Sequence, residues 1–353
     1  MKHLVLLFAF LLSGLCASAQ EIFIGADFDT RFDNREDSGC LIDDSGTYFG
    51  LRLTPKAGLI WAEKNRLVVA VDLFQHFGDD HNFLSRVRPQ IYYQFDAPKV
   101  RALAGIFPRS LLLGRYHSAF FDSAYAFYNN RIQGLGAHYL NDEGSFVEFY
   151  LDWEGMQSAD TREQFRILSA GEYKWSHWYA GYTLSVMHFA KSSTPDPEIP
   201  GELPEGVVDN MLVNPYVGYR YTGRYEFNAS LGYLQSLQRD RRTEQGWETP
   251  KGGRIELSVK RWGVFINNAL YVGENLMPFW DIYGSALYAN STFYGTTRDF
   301  YNRTTIGYDR RFFNDTVGVY AGLIFQYDGQ SMGLHQVVRL SVNLQKTVYR
   351  PKK

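Results

Sequence analysis

Only two of the 353 residues are cysteine, which excludes a disulfide-stapled scaffold. No CxxC pair, HExxH motif or glycine-rich phosphate loop occurs, so the common zinc and nucleotide signatures are missing. Basic and acidic residues nearly cancel, 36 against 38, for a net charge of −2. That balance leaves no global basic footprint for nucleic acid. Beyond the N-terminal stretch no run of ~20 apolar residues appears, so no membrane-spanning helix is expected. There is no internal repeat of solenoid period and no low-complexity tract. The nearest approach, "STPDPEIPGELPEG" over Ser193–Gly206, reads as an exposed loop.

What is present begins with "MKHLVLLFAFLLSGLCASAQ". A basic start (Lys2, His3), a short apolar run and Ala17-Ser18-Ala19 form a secretory signal pattern, with cleavage expected after Ala19. Residues 1–19 are therefore expected to leave, and 20–353 to form one domain. A membrane anchor fits less well because the run is short. Lipidation of Cys16 also fits less well, because Leu15 stands where a small residue is required. The remaining Cys40 then has no internal partner for a disulfide.

Tyr (25), Phe (26) and Gly (32) are plentiful, and their placement follows a period of two. In "HQVVRLSVNLQ" Val338, Leu340, Val342 and Leu344 share one face, opposite Arg339, Ser341, Asn343 and Gln345. "RLVVAVDLFQ", "SRVRPQIYYQF", "SFVEFYLDW", "RYEFNASLGYL", "GRIELSVKRW" and "TVGVYAGLIFQY" repeat the pattern. These runs reach ~9–11 residues, the length of a tilted membrane strand, whereas soluble strands average ~5–6. Short polar connectors, such as Ala62–Asn65 and Lys174–His177, alternate with long ones, such as Asp33–Gly46, Pro108–Asn129 and Ser192–Asn210. The pattern predicts an all-β transmembrane antiparallel β-barrel of the bacterial outer membrane. It has short periplasmic turns, long outer loops and about sixteen strands, with 14 or 18 depending on how 273–299 folds.

If the apolar face meets lipid, the other face lines a lumen wide enough for water. Arg52, Arg66, Arg86, Arg88, Arg101 and Arg339 fall on it, and the bases outnumber the acids. A basic lumen favours anions, although the same residues can simply pair with acids across strands. One stretch leaves the alternation altogether, "GIFPRSLLLGRYHSAFFDSAYAFYNN" (Gly105–Asn130). Pro108 ends a strand, and about twenty residues then carry bulky apolar groups that need a packing surface. The inner wall supplies one, so residues 108–129 are expected to form an inward constriction loop, with Arg109, Arg115, His117 and Asp122 facing the opening.

Catalytic groups are sparse. A hydrolase needs a nucleophile beside a base. The candidate histidines are His76, His81, His117, His138, His188 and His335. "RYHSAFFDS" brings His117, Ser118, Asp122 and Ser123 together, but neighbours in sequence do not make a triad, and the chain is not expected to be an enzyme. Asp27, Asp29 and Asp33, with Asp43, could bind a hard cation; no calcium-loop pattern supports them, and neither a metal nor a cofactor is expected.

Gly105, Phe107 and Pro108 in order, followed by "NRIQGLGAHYL" (Asn130–Leu140), resemble a stretch of phosphate-selective and related sixteen-strand porins. There a short strand precedes an inward segment and a glycine-rich strand resumes after it. Arg109 falls just after the motif rather than before it, and the chain ends "TVYRPKK" rather than on an aromatic. The resemblance implies an outer-membrane channel for small hydrophilic solutes. Its partners would be the lipid bilayer, lipopolysaccharide and the barrel-assembly machinery, as a monomer or a homotrimer. A barrel enzyme acting on lipid or glycan and a closed adhesive barrel are the alternatives.

Overall fold

In the computed structural model the described residues are 21–40, 45–79, 82–158, 163–190, 206–243, 246–289 and 299–351. The expected signal segment, His81 and Asp43 lie outside them. The described residues form sixteen strands. The first eight are β1 (Glu21–Glu36), β2 (Gly46–Trp61), β3 (Asn65–His76), β4 (Arg86–Asp96), β5 (Val100–Pro108), β6 (Arg131–Leu140), β7 (Phe146–Gly155) and β8 (Gln164–Trp175). The remainder are β9 (Trp178–Ala190), β10 (Val207–Thr222), β11 (Glu226–Asp240), β12 (Lys251–Arg261), β13 (Val264–Gly273), β14 (Phe300–Phe312), β15 (Val317–Tyr327) and β16 (Met332–Tyr349).

Each strand pairs antiparallel with its sequence neighbour, and β1 pairs with β16 to close the barrel. Closure gives every strand a paired neighbour on both sides, so no strand stands as an open sheet edge among the described residues. The architecture is the outer-membrane barrel that the alternation predicts, and of the counts left open, 14, 16 or 18, it has sixteen. The undecided stretch 273–299 contributes no strand pair among its described residues; it holds a short helix, α2, described below.

Register follows the period-two pattern. On β7 Val147, Phe149 and Trp153 are exposed to the outside, while Glu148, Tyr150 and Asp152 are buried inside. Aromatic residues gather at both ends of the outer surface. Trp61 lies against Tyr93, and Tyr173 stacks on Trp175, near the short turns. Phe49 touches Phe32 and Phe77, and Trp153 stacks on Phe165, near the long connectors. Two such girdles mark the water–lipid boundaries of a membrane barrel. The tight connectors use left-handed backbone, as at Trp262 (φ 55) and Gly263 (φ 91), which matches the twist of a two-residue hairpin.

Candidate functional site

The segment between β5 and β6 opens with a 3-10 turn (Arg109–Leu111) and closes with a helix, α1 (Ser123–Tyr128). Asp122 caps α1 by accepting from the Tyr125 amide at 2.7 Å. At the other end Arg52 donates to the Phe127 carbonyl at 2.5 Å and Arg86 to the Tyr128 carbonyl at 2.7 Å. These bonds satisfy acceptors that a helix terminus leaves open. Arg109 is the central tie. It is buried, pairs with Asp152 on β7 at 2.5 Å and donates to the carbonyls of Asn129 and Arg131. Its guanidinium also lies over the Phe121 and Tyr125 rings.

Further along, Glu148 on β7 accepts from the amides of Leu113 and Gly114 and from the Tyr116 hydroxyl. A side chain on Gly114 would collide with Ala170 and with Glu148 itself, so only glycine lets the backbone approach this closely. Burial pushes the Tyr116 phenol above its ordinary range, as does the neighbouring Glu148 carboxylate.

Apolar contacts complete the crossing. Leu111 and Leu112 pack on Leu103, Phe107, Ile132, Tyr150 and Leu168 of the β5–β8 wall. Phe120 packs instead with Leu212, Leu234, Tyr271 and Tyr301 of the opposite wall. A second piece, residues 274–289, carries α2 (Trp280–Tyr288), which is interrupted by left-handed Gly284. Its Tyr283, Leu287 and Tyr288 pack on Met187, Phe189 and Val208. Two cavities adjoin the β5–β6 segment and meet at Arg109. One, of about 430 Å³, lies toward β1, β2 and β16. The other, of about 310 Å³, is lined by Arg88, Arg131, Asp152 and Glu154 and touched by Ser285 and Ala286.

The other basic residues singled out from sequence are mostly paired. Arg52 meets Asp72 at 2.6 Å and Arg339 meets Asp29 at 2.7 Å. Arg66 and Arg101 share Asp96, at 3.5 and 2.6 Å, near the short turns. Arg115 is exposed. The acids considered for a cation each face a base: Asp27 faces Lys56, Asp29 faces Arg339, and Asp33 faces Arg31 and Arg35.

Three histidines sit beside carboxylates. His117 Nε2 lies 3.1 Å from Glu256, and its Nδ1 accepts from the Ala119 amide. Glu256 also holds Arg254 at 2.7 Å. Burial pushes the His117 imidazole below its ordinary range, against the pull of Glu256. Both His117 ring nitrogens are thus engaged, Asp122 is used as the cap of α1, and Ser123 accepts from Arg31. His188 faces outward, stacked on Phe165, 3.5 Å from Glu163. His76 stacks on Tyr128 and His138 bonds the Tyr150 hydroxyl.

His335 differs. At the long-connector end of β16 its Nε2 lies 2.6 Å from Asp37, which follows directly on β1. Asp37 is fully buried while His335 keeps 14 % exposure. The other Asp37 oxygen accepts from Gln326 Nε2 at 2.9 Å, and Gln326 Oε1 accepts from the buried Tyr301 hydroxyl at 2.8 Å. Gly333 makes room, since a side chain there would fall on Asp37 Oδ1. The carboxylate accepts, so Nε2 carries the ring proton and the Nδ1 lone pair remains. His335 stands among the candidate histidines of the sequence, whereas Asp37 falls in the long connector Asp33–Gly46 and carries no signal of its own. Only closure of β1 against β16 brings the two together.

A family model described as lipid A 3'-O-deacylase-type matches residues 17–348. No curated protein matches the chain. Among solved structures, a loop-deletion mutant of OmpT, an outer membrane protein of Vibrio cholerae, superposes with TM-score 0.57 at 10% identity, covering 91% of this chain and 98% of its own. In-vitro folded OmpT from V. cholerae in a trimer form gives 0.54 at 9%, covering 91% and 98%. OprB of Pseudomonas putida gives 0.52 at 10%, covering 94% and 96%. At such identities these likenesses speak for the outer-membrane barrel fold alone. The family match corrects the expectation that the chain is not an enzyme, because it spans almost the whole chain and points to a hydrolase.

Proposed function

The chain belongs to the lipid A 3'-O-deacylase-type family, and from that premise we propose that it is an outer-membrane hydrolase. It removes an ester-linked acyl chain from a lipid A-like glycolipid of the outer leaflet, with His335 as general base. The observation that carries this assignment is the 2.6 Å contact between His335 and fully buried Asp37 at the outer end of the barrel.

The chemistry follows from the tautomer. Nδ1 takes a proton from a water molecule as the water oxygen adds to the ester carbonyl. The ring then becomes cationic against Asp37, and a buried carboxylate stabilises that charge strongly. Gln326 and Tyr301 hold the carboxylate in place, so little reorganisation is needed. On collapse of the tetrahedral intermediate the same nitrogen returns the proton to the departing sugar oxygen, leaving a free fatty acid and a sugar hydroxyl.

The test is mass spectrometry of lipid A incubated with the detergent-folded full chain. Loss of one ester-linked acyl chain is expected, and His335→Ala should abolish it. Intact lipid A with the wild type, or unchanged release by the variant, removes the assignment.

A second reading, a porin-like passage for small hydrophilic anions with 108–129 as its constriction, is favoured by the two cavities that meet at Arg109. Deleting Leu111–Ala124 should raise conductance in planar bilayers. Equal conductance with the barrel intact removes that reading. A homotrimer belongs to the same reading and is checked by cross-linking.

A further inference from the structure

β4 pairs with β3 as far out as Arg86↔Phe74, and β5 pairs with β6 as far out as Pro108↔Arg131. With each other, β4 and β5 pair only from Asp96↔Arg101 to Tyr92↔Gly105. Carried outward, that register would set Pro89 against Pro108. Neither has an N–H to give to a ladder. Beyond Pro108 the chain turns away into the lumen. The outer half of β4, Arg86–Ile91, therefore has no strand bonded to it on its β5 side, and the wall is parted there. A side chain meets the Pro89 carbonyl instead, with Arg131 Nη1 donating at 3.4 Å. Two residues along β6, Gln133 bonds the carbonyl of Trp153, which belongs to the outer aromatic girdle. The seam thus lies near the headgroup level of the outer leaflet. Unpaired backbone is tolerated at such depth only where water or polar groups meet it.

The seam is also cationic. Arg86, Arg88 and Arg131 are partly exposed, and none has a carboxylate within ion-pair distance among the described residues. Arg88 stands opposite Asp72 in register, but Asp72 holds Arg52. Asp152 holds Arg109, and Glu154 holds Arg166. Arg88 and Arg131 line the 310 Å³ cavity together, and Arg86 donates to the Tyr128 carbonyl. Neighbouring guanidiniums repel one another, so an anion with several oxygens placed among them is strongly favoured.

We propose that the parted seam between β4 and β5 docks the phosphate headgroup of an outer-leaflet lipid. The guanidinium forks of Arg88 and Arg131 take the phosphate oxygens, a pairing their planar geometry suits. The acyl chains stay in the bilayer against Val87, Pro89 and Ile91, which are exposed on the outer face of the same strand. That apolar flank favours a lipid over a free anion. Asp37 and His335 lie beyond β2 and β3, so the headgroup docks whether or not an acyl chain is cut. The proposal therefore stands independently of the hydrolase assignment.

Native mass spectrometry of the full chain tests it, after release from nanodiscs holding equal phosphatidate and phosphatidylcholine. Phosphatidate should be retained at least roughly tenfold over phosphatidylcholine, a difference of about 1.4 kcal/mol. Arg88→Gln with Arg131→Gln should remove that preference. Pro89→Val with Pro108→Val keeps every arginine, restores two N–H groups to the ladder, and should lower retention by closing the seam. Excess inorganic phosphate should leave the bound lipid in place. The parting itself is read by amide exchange, which should be faster over 86–91 than over 92–96. No preference for phosphatidate, an unchanged preference in either double variant, displacement by inorganic phosphate, or equal protection in the two halves of β4 overturns the proposal. Heat-shifted gel mobility checks that the variants fold, and the wild-type arms decide the matter without them. No readout involves acyl transfer, so failure here cannot be confused with failure of the hydrolase assignment.

Discussion

His117 and His335 each hold a carboxylate by Nε2, Glu256 at 3.1 Å and Asp37 at 2.6 Å. The pairs differ at the second nitrogen. In His117 it accepts from the Ala119 amide, so the ring is a strut that fastens the β5–β6 segment to β12. In His335 the carboxylate is buried and braced by Gln326, while the ring reaches the surface at the outer rim. A histidine–carboxylate pair is therefore structural or reactive according to what the far side of the ring meets. The residue types alone do not decide it.

The largest effect that can break this comparison is catalytic. Asp37→Asn should cut deacylation by roughly 10²–10⁴-fold, the usual contribution of positioned acid–base catalysis. His117→Gln should leave the rate near wild type. Rates from radiolabelled acyl release decide it, and equal losses in both variants would erase the distinction.

Next in size is the anchoring that makes the His117 region rigid. Arg109→Ala strands Asp152 in a buried site and should cost about 3–5 kcal/mol, whereas Arg109→Met with Asp152→Leu should recover most of it. Urea titration of the folded barrel measures both, and no recovery in the double variant would argue against a simple buried pair. Smaller again, His117→Leu leaves the Ala119 amide without its acceptor and should cost about 1–3 kcal/mol. The loss should appear as faster proteolysis within 109–130, and unchanged cleavage would show the strut to be idle.

The smallest effect is on pH. Burial depresses the His117 pKa, so the unfolded chain binds the proton more readily. Its contribution to stability is then complete above the ordinary imidazole value of ~6.5 and is lost as pH falls below it. Protection factors of the amides around residues 117–120, corrected for the intrinsic slowing of exchange in acid, should fall between pH ~7 and ~5, and His117→Gln should flatten that response. An equal response in the variant assigns the titration elsewhere.

Much of the fold was legible from residue order. Val147, Phe149 and Trp153 alternate with Glu148 and Asp152, and that alternation alone separates the lipid face from the lumen. Sidedness came from Trp262-Gly263 and the other short connectors set against the long ones. The helix α2 was not legible, because "WDIYGSALY" carries strand-forming aromatics and its helical state depends on packing against Met187 and Phe189. Arg52, Arg86 and Arg109 were visible as lumenal bases, yet their carbonyl partners in the segment were not, since a chain that leaves the sheet gives no register to count from.

The sequence by itself determined a two-faced outer-membrane barrel of about sixteen strands interrupted by one greasy segment. A period of two in polarity is a local property that any reader of the chain can count. Only the tertiary structure decided which charges meet. Asp37 and His335 stand almost 300 positions apart and become neighbours because β1 pairs with β16. Arg109 finds Asp152 because the segment folds back across β7. Contacts of that kind depend on closure and crossing, which no local pattern encodes.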